Sequence, residues 1–238
     1  MMEDESKMKF SSDRAKKMVV WLGVASIAMF FAAFTSAYIV LQADHFWVQN
    51  DLPQMFKIST VLLVISSLTI YLAKRSTVAG NIGGLKLWLV ATFILGLGFT
   101  ATQYLGWSEL QSEGKFFLGT LGNMEGEYGV DYTIMMKGEP VLYDQGNFYK
   151  PGDISYSDPI NERIQDTFNV SASFLYILSG LHVVHLAGGI IWLLVLMVKT
   201  FSGGITQQNV LPLDLGSIYW HFLDILWVYL FLFLLLIR

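Results

Sequence analysis

The chain has 238 residues, 54% of them hydrophobic and 14% charged, with a formal net charge of −4 and no cysteine. Without a thiol it can form no disulfide, thiolate copper centre or iron–sulfur cluster, and its acidic balance gives no reason to expect a nucleic-acid partner. The mean hydropathy of +0.50 points to a bilayer, whose hydrocarbon core of about 30 Å takes roughly 20 helical residues to cross.

Residues 1–17 are polar and carry Lys7, Lys9, Arg14, Lys16 and Lys17. They read as a cytoplasmic N-terminal segment. The apolar stretch that follows, Met18 to Leu41, exceeds a signal-peptide core, so it is expected to be a retained span. Further stretches of membrane length run from Met55 to Leu72, Leu85 to Leu105, Phe168 to Val198 and Ile218 to Ile237. They are too long and too continuously apolar for barrel strands, and backbone groups in lipid must bond internally, so all five are expected to be helices. No Lys or Arg lies between Leu41 and Lys57, whereas Lys74, Arg75 and Lys86 flank the next turn. The positive-inside rule then puts the N-terminus inside and, after five spans, the C-terminus outside.

Ala28, Ala32 and Ser36 recur every four residues in the first span, a small-residue strip on which another helix could pack closely. Gln103 and Tyr104 end the third span, and Trp107 follows at the interface, where an indole is at home with one wet end. All three read as anchors. His45 falls in the loop after the first span.

Residues 106–167 form a polar insert between the first three spans (18–105) and the last two (168–238). Its eleven acids face four bases, a net −7. Turn signals at Gly122-Asn123, Lys137-Gly138, Gln145-Gly146-Asn147 and Pro151-Gly152-Asp153 separate short runs at Tyr132 to Met136 and Val141 to Tyr143, which predicts a small β-containing or irregular external lid. One-signed charge suits docking of a basic electron donor such as a cytochrome c, and equally suits simple solvation of the lid.

In the fourth span Ser179, His182, His185 and Gly189 share a face, which predicts a tight helix interface; Gly180 and Gly188-Gly189 read as points of close helix approach. The fifth span carries Tyr219, Trp220, His221, Phe222, Leu223, Asp224, Ile225, Leu226 and Trp227. Trp220, His221, Asp224 and Trp227 fall on one face, so the carboxylate is expected to meet the imidazole and both indole N–H groups in a polar lock. An intramembrane carboxylate is also a candidate proton site. A haem held by His182 or His185 with His221 is a third reading of the same residues.

This string resembles the last helix of subunit III of the haem-copper respiratory oxidases, which typically reads Tyr/Trp-Trp-His-Phe-Val-Asp-x-Val-Trp. Ser179, Gly180, Leu181, His182, Val183, Val184, His185 and Leu186 resemble the preceding helix's Thr-Gly-x-His-Gly-x-His-Val, with Val183 in place of a glycine. The similarity covers all five spans and leaves the acidic insert outside it. It implies the five-span version of the family, lacking the first two of seven helices. Two departures stand out. The family's Leu-Ala-Ser-Glu-Val-Met-Phe-Phe is here Val24, Ala25, Ser26, Ile27, Ala28, Met29, Phe30 and Phe31, so Ile27 replaces a buried Glu, and Gly106 stands where a second Glu is frequent.

The fold expected is thus an all-α integral membrane protein of five transmembrane helices with a small external insert. The resemblance implies a non-catalytic accessory subunit of a cytochrome c oxidase in a bacterial inner membrane, with its insert on the periplasmic side. It implies no catalytic, cofactor or metal residue in this chain. Haem and copper belong to partner subunits; the partners are oxidase subunits I and II, phospholipid, and cytochrome c or another respiratory complex at the insert. Trp220, His221, Asp224, Trp227, His182, His185 and Gln103 are the residues expected in structural, subunit or lipid contacts. The third subunit of a quinol oxidase, or a relative associated with nitric oxide reduction, is the alternative within the family. A proton-coupled transporter is the alternative outside it.

Overall fold

The computed structural model describes residues 2–44, 46–50 and 52–237, and the backbone alone at residues 2–11, 44 and 50. His45 lies outside the described residues. The chain forms α1 (Met2–Asp44), β1 (Phe46–Asn50), α2 (Gln54–Val78), α3 (Ile82–Ser112), β2 (Tyr132–Met136), β3 (Glu139–Pro140), β4 (Leu142–Asp144), β5 (Asn147–Tyr149), α4 (Asn161–Asp166), α5 (Val170–Phe201) and α6 (Leu211–Leu236). Among the described residues five helices, α1, α2, α3, α5 and α6, are long and apolar enough to cross a membrane. Even α2, with 25 residues, spans about 37 Å at 1.5 Å per residue, more than the hydrocarbon core requires. The helical segment predicted to end at Leu105 continues to Ser112, and the polar N-terminal segment is helical from Met2.

The chain divides into two compact units, to each of which the five long helices contribute residues. One comprises residues 1–31, 58–101 and 182–229. Its α2–α3 connection is short, residues 79–81. Gly80, at φ +73°, closes α2 with the Asn81 N–H on Ser76 O at 2.9 Å and its own N–H on Thr77 O at 3.0 Å, the paired bonds of a Schellman motif that needs a left-handed residue. Asn81 then starts α3 by accepting the Gly84 N–H on Oδ1 at 2.8 Å.

The other unit comprises residues 32–57, 102–181 and 230–238. Here the loop after α1 supplies a strand that the sequence reading left as loop. All five residues of β1 pair antiparallel with β2, Phe46 with Met136 through Asn50 with Tyr132. Then β2 turns into β3 through Lys137-Gly138, and β4 into β5 through Gln145-Gly146. Both central residues have positive φ in each turn, +53° and +83°, then +47° and +87°, as a two-residue hairpin of the right twist demands. Alternation along β1 splits its side chains: Phe46 and Val48 join Leu121, Ile134, Val141, Ile160 and Ile164 in the lid's core, while Trp47 points the other way, its ring centroid 4.6 Å from that of Tyr38. The lid is therefore not built from residues 106–167 alone.

Candidate functional site

The polar face of α6 is answered by α2, in antiparallel order. Trp227 Nε1 donates to Thr60 Oγ1 at 3.0 Å, Trp220 Nε1 to Ser66 Oγ at 2.9 Å, and His221 Nδ1 is joined to Ser67 Oγ at 2.7 Å. Farther along, Asp214 meets Lys74 at 2.8 Å and Lys17 of α1 at 3.2 Å. Thr60, Ser67 and Lys74 are seven apart, two helical turns, which keeps them on the face that meets α6. The spacing stands in the sequence, but not the helix it addresses, and hydroxyl residues in a span look like ordinary apolar substitutes.

The lock differs from the one predicted. The indoles do not turn to Asp224; among the described residues neither of its carboxyl oxygens has a hydrogen-bond partner within ordinary geometry, though the residue is only 4% exposed. Side chains sharing one helix face radiate outward together, so long indoles reach across to the next helix rather than along their own. The polar group that bears on Asp224 is the Ser67 hydroxyl, already joined to His221.

The two histidines of α5 also part company. His182 is fully buried between the rings of Phe99 (5.6 Å) and Trp227 (5.1 Å), which themselves meet edge to face at 5.0 Å. Among the described residues its ring nitrogens have no hydrogen-bond partner. His185 sets its ring edge against Phe31 at 5.7 Å and accepts the Tyr219 hydroxyl on its backbone carbonyl at 3.0 Å. His182 thus packs on Phe99 and Trp227, His185 on Phe31, and His221 is joined to Ser67.

Trp220 fills a slot made by two glycines. A Cβ on Gly96 of α3 would lie 2.8 Å from the indole, and one on Gly189 of α5 would lie 3.2 Å from it. Gly189 is thus the close approach that was predicted, whereas nothing lies within 4 Å of a Cβ at Gly180, and Gly188 makes only ordinary contact. Gln103 is wholly buried rather than an interfacial anchor, and Trp107 donates to Ser179 Oγ at 3.0 Å. Gly106 has a packing reason as well: a Cβ there would come within 2.5 Å of the Phe56 ring, so a larger residue would force that ring to shift.

Ile27 lines a groove of about 320 Å³ together with Val20, Val24, Gly188, Trp192 and Tyr219. Ala28, Ala32 and Ser36 are exposed among the described residues, so the small-residue strip is not the buried side of α1, which is made by Val24, Phe31, Thr35 and Tyr38.

These features define an integral membrane protein in which α6 is tied to α2 by indole and imidazole hydrogen bonds. A family model described as cytochrome c oxidase subunit III matches residues 158–237, which include α5 and α6. A cytochrome c oxidase subunit 3 from Alkalihalophilus pseudofirmus is 29% identical over 176 residues, 73% of this chain and 61% of that protein. One from Bacillus subtilis is 25% identical over 89% of this chain and 81% of its own length. The cytochrome bo(3) ubiquinol oxidase subunit 3 of Pseudomonas aeruginosa is 26% identical over 89% of this chain and 79% of its own. Over α5 and α6 by the family model, and over most of its length by these relatives, the chain is similar to subunit III of cytochrome c and quinol oxidases.

Proposed function

We propose that this chain is the accessory subunit III of a proton-pumping terminal oxidase of the cytochrome c type, stabilising subunit I and holding lipid while the redox centres reside in its partners. The observation that carries this reading is the use made of α5 and α6. The stretch matched by the family model directs its indoles and imidazoles to Thr60, Ser66, Ser67 and the Phe99 ring, which suits a scaffold. The apolar groove beside Ile27 suits an acyl chain. A second hollow of about 590 Å³ near the start of the first span is lined by Arg14, Lys16, Lys17 and Lys199 against Asp13 and Asp214; Lys16 and Lys17 are paired with those acids, and the surplus of cations favours an anionic headgroup. The distribution of Lys and Arg supports a cytoplasmic N-terminus and a periplasmic lid in a bacterial inner membrane.

Affinity purification through a tag on this chain tests the reading. Haem-bearing partners that consume oxygen with reduced cytochrome c are expected to come with it, and a colourless chain isolated alone would overturn it. The Pseudomonas relative, named a ubiquinol oxidase subunit, favours a second reading in which quinol is the donor. Comparing quinol-driven with cytochrome c-driven oxygen uptake in the same preparation separates the two.

A further inference from the structure

The lid is acidic, yet its first segment is not. From Phe116 to Met124 there is no charged residue, and Lys115, which opens the segment, is buried and paired with Glu113. Phe116, Phe117 and Leu118 are nevertheless exposed, Leu118 by 71%, as is Phe168 just before α5. Large apolar side chains clustered on an otherwise charged surface mark a contact with something apolar.

The depth of this segment is fixed by α5. Tyr176 donates its hydroxyl to Lys115 O at 3.0 Å, Ser173 donates to Phe117 O at 2.6 Å, and the Asn169 N–H donates to Gly119 O at 2.8 Å. Phe117 also packs against the Tyr176 ring at 6.2 Å. The chain therefore folds back from the end of α3 and lies beside the first two turns of α5. Ser173 is three residues beyond Val170, about 4.5 Å into the helix. Between Asp166 and Lys199 α5 has no charged residue, a length of more than 40 Å at about 1.5 Å per residue, so roughly 5 Å at each end lies outside a 30 Å hydrocarbon core. The level of Ser173 is accordingly the headgroup–acyl boundary, where aromatic rings are favoured. The apolar surface also continues onto α3, where Tyr104 and Leu105 are exposed.

We propose that Phe116, Phe117, Leu118 and Phe168 form an interfacial anchor that inserts into the leaflet on the lid's side and holds the acidic lid down on the bilayer. The lipid surface is the occupant identified by the segment's level at the headgroup–acyl boundary and by the exposed Tyr104 and Leu105 on α3. The anchor depends on the chain spanning a membrane and not on its role in an oxidase.

The absence of cysteine makes the test direct. In the purified complex reconstituted in phosphatidylcholine vesicles, a nitroxide is placed at Leu118→Cys, with Leu105→Cys on α3 and the lid residue Ile154→Cys as lipid-facing and water-facing references. The wild-type complex, treated identically, supplies the background. The ratio of collisions with oxygen to collisions with a water-soluble nickel chelate is expected to match that at Leu105 and to exceed that at Ile154 several-fold. A ratio matching Ile154, or a label shielded from both reagents as under a protein partner, would overturn the anchor. Phe168→Cys repeats the measurement should Leu118→Cys fail to assemble.

Discussion

Trp220 gives its indole N–H to the hydroxyl of Ser66, 2.9 Å away on the neighbouring helix, with both residues buried. Removing the acceptor alone orphans a buried donor. Ser66→Ala is therefore expected to cost about 1 to 3 kcal/mol, while Trp220→Phe made on top of it recovers part of the hydrogen-bond loss. A double-mutant cycle on thermal release of this subunit from the purified complex checks it. Additive effects of the two changes would show that the bond contributes nothing.

The glycines that flank this indole make a second prediction. A methyl on Gly96 meets the rigid far edge of the ring at 2.8 Å, and overpacking of that kind costs about 1 to 3 kcal/mol. Gly96→Ala should lower the temperature at which the subunit dissociates. Gly180→Ala, with nothing within 4 Å, should not.

Asp224 should behave unlike the indoles around it. Among the described residues only the Ser67 hydroxyl bears on its carboxyl group, and that hydroxyl is already joined to His221, so Asp224→Asn, which keeps an acceptor oxygen, is expected to cost less than about 1 kcal/mol. Subunit occupancy of the mutant complex measures this. Loss of the subunit would show that the carboxylate has a structural partner after all.

What the sequence disclosed and what it hid follow from range. Helix length is a local property, and the five spans were visible in continuous apolar runs. The hairpin turns at Lys137-Gly138 and Gln145-Gly146 were equally local, because left-handed backbone is demanded within two residues. The strand Phe46–Asn50 was not, since its partner Tyr132–Met136 lies more than 80 residues away, and five residues beside a membrane helix carry no periodicity of their own. At the candidate site the string from Trp220 to Trp227 was legible as a polar face. Its partners were not, because a helix face reveals which side chains act together but not which neighbour they address; Thr60, Ser66 and Ser67 became informative only when α2 was set against α6.

Tyr128 gives the lid a pH dependence. Its hydroxyl donates to Val141 O at 2.7 Å, tying the strand region to the loop before it, and burial pushes its pKa above the usual 10. A raised folded-state pKa means that the stabilisation is complete below the unfolded value, near 10, and is lost as pH rises through the folded one. Proteolytic resistance of the lid should therefore fall above about pH 10. Tyr128→Phe should be weaker at neutral pH, by about 0.5 to 1.5 kcal/mol for the lost bond, and should show less of the alkaline loss.

The last prediction separates solvation from docking on the acidic side of the lid. Glu125 and Glu127 are exposed, and Asp131 also has local work, since its carboxylate accepts the Glu127 N–H at 2.7 Å across the turn. Asp131→Asn keeps that acceptor while removing the charge, so Glu125→Gln, Glu127→Gln and Asp131→Asn together neutralise the surface without dismantling it. A steering surface speeds encounter with a basic donor and fades as the Debye length falls from about 30 Å at 0.01 M salt to about 8 Å at 0.15 M. If the acids serve to solvate the lid, the donor's low-salt association rate should change by less than about twofold. That is the expected outcome. A larger drop, itself suppressed by salt, would show instead that this subunit takes part in receiving the electron donor.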